Sequence, residues 1–202
     1  MEVSQAAELV KLRVVWWFEH FGKGSHEAVD SLLLNLKELC VEHKKSKTPK
    51  LADWIPPDVG SLKFNIDGSV KVKLGSSGIG GVLRDSNGKV LCLFSFHLGI
   101  LDSNTVELCA IKKAMELIAA NSNLNDRDIM VVSDSKVAVS WVNNGDFGNV
   151  SQVNDIYDIR QYMNSAGNIK VVFDSRIFNS FANSLAKLGA NLDVDFIVWG
   201  DF

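Results

Sequence analysis

Residues 62–69, reading LKFNIDGS, constrain this chain more than any other stretch. Leu62, Phe64 and Ile66 alternate with Lys63, Asn65 and Asp67. Alternation at period two, with aromatic and β-branched members, predicts a strand with one buried face. Gly68 and Ser69 form a turn signal that ends it. Asp67 is then the last side chain of a strand, held at the rim of a sheet where a carboxylate is pre-positioned for metal or phosphate chemistry. Taken alone it also has an ordinary reading, because Asx-Gly pairs commonly cap turns.

The segments downstream build a sheet around that strand. Residues 77–83 and 90–96 read as two more strands, joined by the tight turn Asp85-Ser86-Asn87-Gly88, so the first three strands form an antiparallel meander. From Ser103 the period changes: Glu107, Ala110, Ile111, Ala114, Leu117 and Ile118 carry helical spacing, with Ser103 or Asn104 as the expected cap. Ile129-Met130-Val131-Val132 is a continuous apolar run of the buried-strand type, ending in Ser133-Asp134-Ser135. Helices are expected through Val137, Val139 and Trp141, and over about 150–163. A strand comes next over 169–173, and a last helix over about 179–188 is closed by Gly189. The fold class is therefore α/β, a five-stranded mixed sheet flanked by helices. Gly78, Gly80 and Gly81 sit inside a strand, which points to close backbone approach rather than to a phosphate cradle.

The amino-terminal part reads differently. Leu9, Leu12, Val15, Trp16 and Phe18 have roughly helical spacing, and an amphipathic helix with Val29, Leu32, Leu33, Leu36 and Leu39 follows an expected cap at Ser25. HKKSKTPK is a basic linker closing on Pro49. The expected division is a helical appendage with its linker over 1–48 and one domain over 54–202, the appendage packing its leucines and tryptophans against a protein partner. Base stacking by Trp16 and Trp17 is the minor reading.

Composition bounds the function classes. Of 202 residues 47% are hydrophobic and 22% charged, as in globular proteins, and no apolar run is long enough to span a bilayer. The start shows no secretory pattern. Three widely spaced cysteines, Cys40, Cys92 and Cys109, suggest neither a disulfide framework nor a zinc site, and the expected setting is intracellular, nucleus or cytoplasm. A net charge of −3 argues against tight nucleic-acid binding by the surface as a whole, while leaving local patches open.

Three carboxylates fall in comparable places. Asp67 ends the first strand, Asp134 ends the fourth, and Glu107 lies in the first turns of the helix after the meander. If the first and fourth strands are parallel neighbours, their carboxyl ends share one edge, where open α/β sheets bind ligands. Clustered carboxylates repel unless divalent cations lie between them, and hard oxygen donors suit magnesium or manganese. Each acid also has a structural reading: Glu107 as a favourable charge at a helix start, Asp134 as an N-cap.

In order and spacing, FNIDGS, GIGGVLRDSNGKVL, NTVEL, VVSDS and RIFNSFANSLA resemble the type 1 ribonuclease H domain, in the plant reverse-transcriptase-like branch related to non-LTR retroelements. WIPP before the first strand is typical of that branch, and the likeness runs from about Trp54 to the carboxyl terminus. The resemblance implies a ribonuclease H-like fold and an endonuclease cutting the RNA strand of an RNA–DNA hybrid with two divalent ions, Mg2+ or Mn2+. Asp67, Glu107 and Asp134 would be catalytic and metal-binding. Gly68, Ser69, Asn104, Ser135, Arg176 and Asn179 would touch nucleic acid, Asn104 in the minor groove, where 2′-hydroxyls distinguish RNA from DNA. Arg176 with Asn179 also has a structural reading, tying the last strand to the last helix.

The sequence departs from that pattern at its closing motif. Where the family has R-x-x-N-x-x-A-D-x-L-A, this chain has Arg176, Asn179 and Ala182 followed by Asn183, an amide in place of the fourth acid. An amide oxygen can ligate a metal but brings no charge, so weakened, not abolished, metal affinity and rate are expected; compensation by Asp174 at the end of the last strand is the minor reading. The histidine that bacterial members carry before the last helix is absent from 173–176, and 142–152 holds no lysine or arginine to grip a hybrid. The alternative function is a non-catalytic module, derived from a retroelement, that binds nucleic acid or protein.

Overall fold

The computed structural model describes residues 54–71, 75–145, 152–165, 167–191 and 195–200. The helices expected over 1–48 lie outside them.

The strand expected to end at Asp67 is β1, Leu62–Val70: Gly68 and Ser69 do not turn the chain but continue the strand, opposite Ile79 and Gly78. It pairs antiparallel with β2, Ser77–Asp85, which pairs antiparallel with β3, Val90–Gly99. The turn between them works as its residues suggest: Asp85 Oδ1 accepts the N–H groups of Asn87 (2.9 Å) and Lys89 (2.8 Å), and Gly88 supplies a φ of 79°. Helix α1, Ser103–Ala119, comes next. Its cap is Asp102, one residue before the expected pair, because a carboxylate there accepts the N–H groups of both Asn104 and Thr105.

Strand β4, Ile129–Ser133, lies parallel to β1, and β5, Ile169–Phe173, lies parallel to β4. Helices α2, Lys136–Asn144, and α3, Val153–Ser165, run between them. Helix α4 spans Ser180–Asn191. The sheet has six strands rather than five: β6, Phe196–Trp199, pairs antiparallel with β3, giving the order β5-β4-β1-β2-β3-β6. Four residues are too few to show a period, and β6 acquires its identity from its partner's open edge.

The main core lies between the sheet and α1. Leu62, Phe64 and Ile66 each expose at most 1% of their surface, and Phe64 meets Phe94 edge to face at 5.8 Å. The opposite face of β1, expected to be open, is buried as well. Lys63 there is ion-paired with Asp174 at 3.5 Å and donates to the Ile55 carbonyl, while Asn65 accepts from Trp54 Nε1 at 2.9 Å. The WIPP lead-in thus covers a polar row and partners the Lys63 ammonium and the Asn65 oxygen, while the Asn65 Nδ2 is buried without a partner.

Helix α4 covers β2 on this second face with almost no side-chain cushion. A Cβ on Gly78 would fall 2.1 Å from the Ala190 nitrogen, and one on Gly80 would fall 2.3 Å from that of Ala186. Gly189 meets the Phe96 carbonyl in the same way, so it serves contact inside the helix, which runs on to Asn191 instead of closing there.

Candidate metal centre

Parallel pairing brings two of the acids together. Asn65 stands opposite Val132, and Asp67 and Asp134 are each two residues further along. Glu107 arrives from α1, which crosses so close to β1 that a Cβ on Gly68 would fall 2.9 Å from Val106 Cγ1 and 3.0 Å from the Glu107 nitrogen. One carboxylate oxygen from each of Asp67, Glu107 and Asp134 lies within 4.8 Å of the others.

The electrostatics of this cluster are strained. Asp67 is 1% exposed, and its Oδ2 and the Oε2 of Glu107 are buried without a hydrogen-bond partner. Burial, then the charges of Glu107 and Asp134, push the Asp67 carboxyl up to about 9, with Arg176 opposing. Burial, then Asp134, push Glu107 up to about 8, against the Gly68 N–H, Arg176 and the Ser133 hydroxyl. Native proteins rarely leave buried carboxylate oxygens unpartnered. Converging all-oxygen donors with orphaned buried atoms fit a hard divalent cation, whose charge would reverse the cost of ionising them.

The other expected site residues divide. Gly68 allows the approach of α1, and Ser69 is half-buried within β1. Asn104 is exposed one helical turn before Glu107, on the same side of α1. Ser135 caps α2, its hydroxyl accepting the Ala138 N–H at 3.2 Å, so the cap reading considered for Asp134 belongs to its neighbour. Arg176 reaches both sides of the rim: its Nε lies 3.8 Å from Asp134 Oδ2, and its Nη2 donates to Asn183 Oδ1 at 3.2 Å.

Asn179 fits its structural reading better than the nucleic-acid one: it is 1% exposed and donates its amide to the Ile66 carbonyl at 2.7 Å, tying the start of α4 to β1. Asp174 is held by Lys63 at 3.5 Å and accepts the Ser175 N–H at 2.7 Å, which commits it away from the role of substitute acid. Ser133 joins the site without having been singled out by the sequence pattern. It is fully buried, its hydroxyl counters the rise of the Glu107 carboxyl, and it accepts the Ser135 N–H at 3.0 Å. A lone hydroxyl closing the apolar run of β4 is the signal that marks it.

A mixed sheet in this strand order, with acids gathered at the carboxyl ends of its parallel pair, defines a ribonuclease H-like domain. The chain belongs to the family described as reverse transcriptase-like, whose model matches residues 65–189. No curated relative matches it by sequence. Among solved structures it is similar to ribonuclease H1 from the halophilic archaeon Halobacterium salinarum NRC-1, at 20% identity over 65% of this chain and 98% of that one, with a TM-score of 0.59. It is similar to LC11 ribonuclease H1 in complex with an RNA/DNA hybrid, at 22% identity over 65% and 97%, with a TM-score of 0.60. The protease–reverse transcriptase of prototype foamy virus matches at 20% identity over 68% of this chain and 22% of that one, with a TM-score of 0.55.

Proposed function

We propose that this chain is a divalent-cation-dependent endoribonuclease that hydrolyses the RNA strand of RNA–DNA hybrids. The observation that carries the reading is the trio Asp67, Glu107 and Asp134, converged within 4.8 Å with a buried Asp67 oxygen left unpartnered. Similarity to ribonucleases H1, one of them solved with a hybrid, supports the substrate class.

Asp67, Glu107 and Asp134 would hold Mg2+ or Mn2+, with the Asn183 amide oxygen as a neutral fourth donor. Two such ions, when bound, activate an attacking water and stabilise the leaving oxygen of a phosphodiester. The chain's own groups orient and shield. Ser133 and the Gly68 N–H favour the ionised form of Glu107, burial keeps bulk water from Asp67, and exposed Asn104 would read a sugar 2′-hydroxyl.

The test is cleavage of an end-labelled hybrid by the full chain with Mg2+ or Mn2+. Asp67→Asn is expected to lose at least about a thousandfold in rate, near 4 kcal/mol of transition-state stabilisation. Equal activity in wild type and variant would refute the reading. A second reading, a binding module without catalysis, draws on Arg176: its link to Asn183 sets a cation beside the acids, and position 183 brings no charge. Hybrid binding without cleavage under both metals would select it.

A further inference from the structure

The turn that carries Arg176 is strapped to β1 at both ends. It spans Arg176–Phe178, between β5 and α4. Behind it, the Asn179 amide donates to the Ile66 carbonyl at 2.7 Å. Ahead of it, Asp174 Oδ2 lies 3.5 Å from Lys63 Nζ. Asp174 Oδ1 accepts the Ser175 N–H at 2.7 Å, and the Asp174 N–H donates to the Ser133 carbonyl at 3.0 Å. The Ser175 carbonyl then accepts the Phe178 N–H at 2.9 Å, which closes the turn. Both straps start on the strand that carries Asp67, one at Lys63 and one at Ile66.

The strap at Lys63 is a buried charge. Only 5% of the residue is exposed, and its ammonium is shared between Asp174 and the Ile55 carbonyl, the latter at 3.2 Å. Stability gives no reason for a lysine here, because apolar side chains of similar volume often replace a buried ion pair without loss. What the charge adds is direction: it holds one carboxylate in one place. Arg176 stands at the far end of these contacts. Its side chain is 67% exposed, yet its Nε lies 3.8 Å from Asp134 Oδ2 and its Nη2 donates to Asn183 Oδ1 at 3.2 Å. Such exposed polar contacts are too weak to order a long side chain by themselves, so its placement depends on the backbone that carries it.

We propose that Lys63 is a positioning residue: acting through Asp174, it fixes the turn that holds the Arg176 guanidinium beside Asp134 and Asn183, where it can take a phosphate of the hybrid at the rim of the metal centre. Lys63 itself is too deeply buried to touch substrate. The Ile55 carbonyl on its ammonium draws the WIPP lead-in into the same device. This rests on the nuclease reading and deepens it, by giving a role to a buried cation on the strand of Asp67 that neither the acids nor the expected nucleic-acid contacts include.

The test is a mutant cycle on binding of a labelled RNA–DNA hybrid by the full chain, read by anisotropy across a salt series in EDTA, which prevents cleavage. Lys63→Met combined with Asp174→Asn removes both charges of the strap and leaves the net charge unchanged. The pair is expected to weaken binding about fivefold and to lower the salt slope by about one, as Arg176→Gln does. In the Arg176→Gln background the same pair is expected to change affinity by less than about 1.5-fold. Asp174→Asn alone, at a partly exposed position, is expected to show the same dependence on Arg176 and serves if a thermal melt finds the pair unfolded. Strap variants that bind hybrid as wild type does, or effects that simply add to that of Arg176→Gln, would overturn the positioning role and leave the nuclease reading standing. A wild-type chain that binds no hybrid, with or without Mg2+, would overturn both.

Discussion

The two faces of β1 are built on opposite principles. On one, Leu62, Phe64 and Ile66 sink into the core against α1, and nothing about their neighbours need be exact beyond volume. On the other, Lys63, Asn65 and Asp67 are buried equally deeply, yet each needs an individual partner. Lys63 finds Asp174 and a carbonyl, and Asn65 finds Trp54. Two atoms of the row stay unpartnered, the Asn65 Nδ2 and the Asp67 Oδ2. Of these only the Asp67 oxygen is an acceptor beside other acids, and its demand is what a cation would satisfy.

The contrast breaks most clearly at Phe64 and Asp67, three residues apart. Phe64→Ala is expected to destabilise the domain by about 3–5 kcal/mol in urea titration. Asp67→Asn, measured metal-free at pH 8, is expected to leave stability unchanged or raise it, since the carboxyl is ionised in the unfolded chain but forced to take up a proton on folding by burial and its acidic neighbours, a cost the amide does not carry. A large loss in the second variant would mean that Asp67 is structural.

Trp54→Phe probes the polar face where it is satisfied. It keeps the ring but removes the donor to Asn65 Oδ1, at an expected cost of about 1–3 kcal/mol by the same titration. Asn183→Asp adds the missing charge without adding volume; Mn2+ affinity by calorimetry is expected to rise about tenfold, or 1.4 kcal/mol. No gain would show that Arg176, bonded to residue 183, neutralises any acid placed there.

The smallest effect is pH dependence. Asp67 and Glu107 titrate higher folded than unfolded, so the folded chain holds more protons, and metal-free stability falls as pH rises from the ordinary carboxylate range to about 8–9. Thermal melts with EDTA are expected to drop by a few degrees, at roughly 2–4 °C per kcal/mol. Adding Mg2+ at pH 8 is expected to reverse that drop.

The legibility of the sequence obeys the same divide. The meander, the parallel strands and the three acids are legible in it, because period, turn residues and carboxylates at strand ends are local signals. The burial of Lys63 and Asn65 is not, because it depends on Trp54 and Ile55 folding back from outside the strand. Nor are β6, which exists only as the neighbour of β3, and the commitment of Asp174 to Lys63, which no spacing encodes. Gly189 misleads because a glycine near the end of a helix suggests a stop, whereas here it marks contact with another backbone.

The seating of α4 on bare backbone at Gly78, Gly80 and Gly189 has a reach beyond packing. Asn183 rides on that helix, and Arg176 on the turn that leads into it. A single methyl group at Gly80 would prise the helix outward and carry residue 183 with it, so an inherited change there would masquerade as a lesion of the metal centre while every donor atom remained chemically intact.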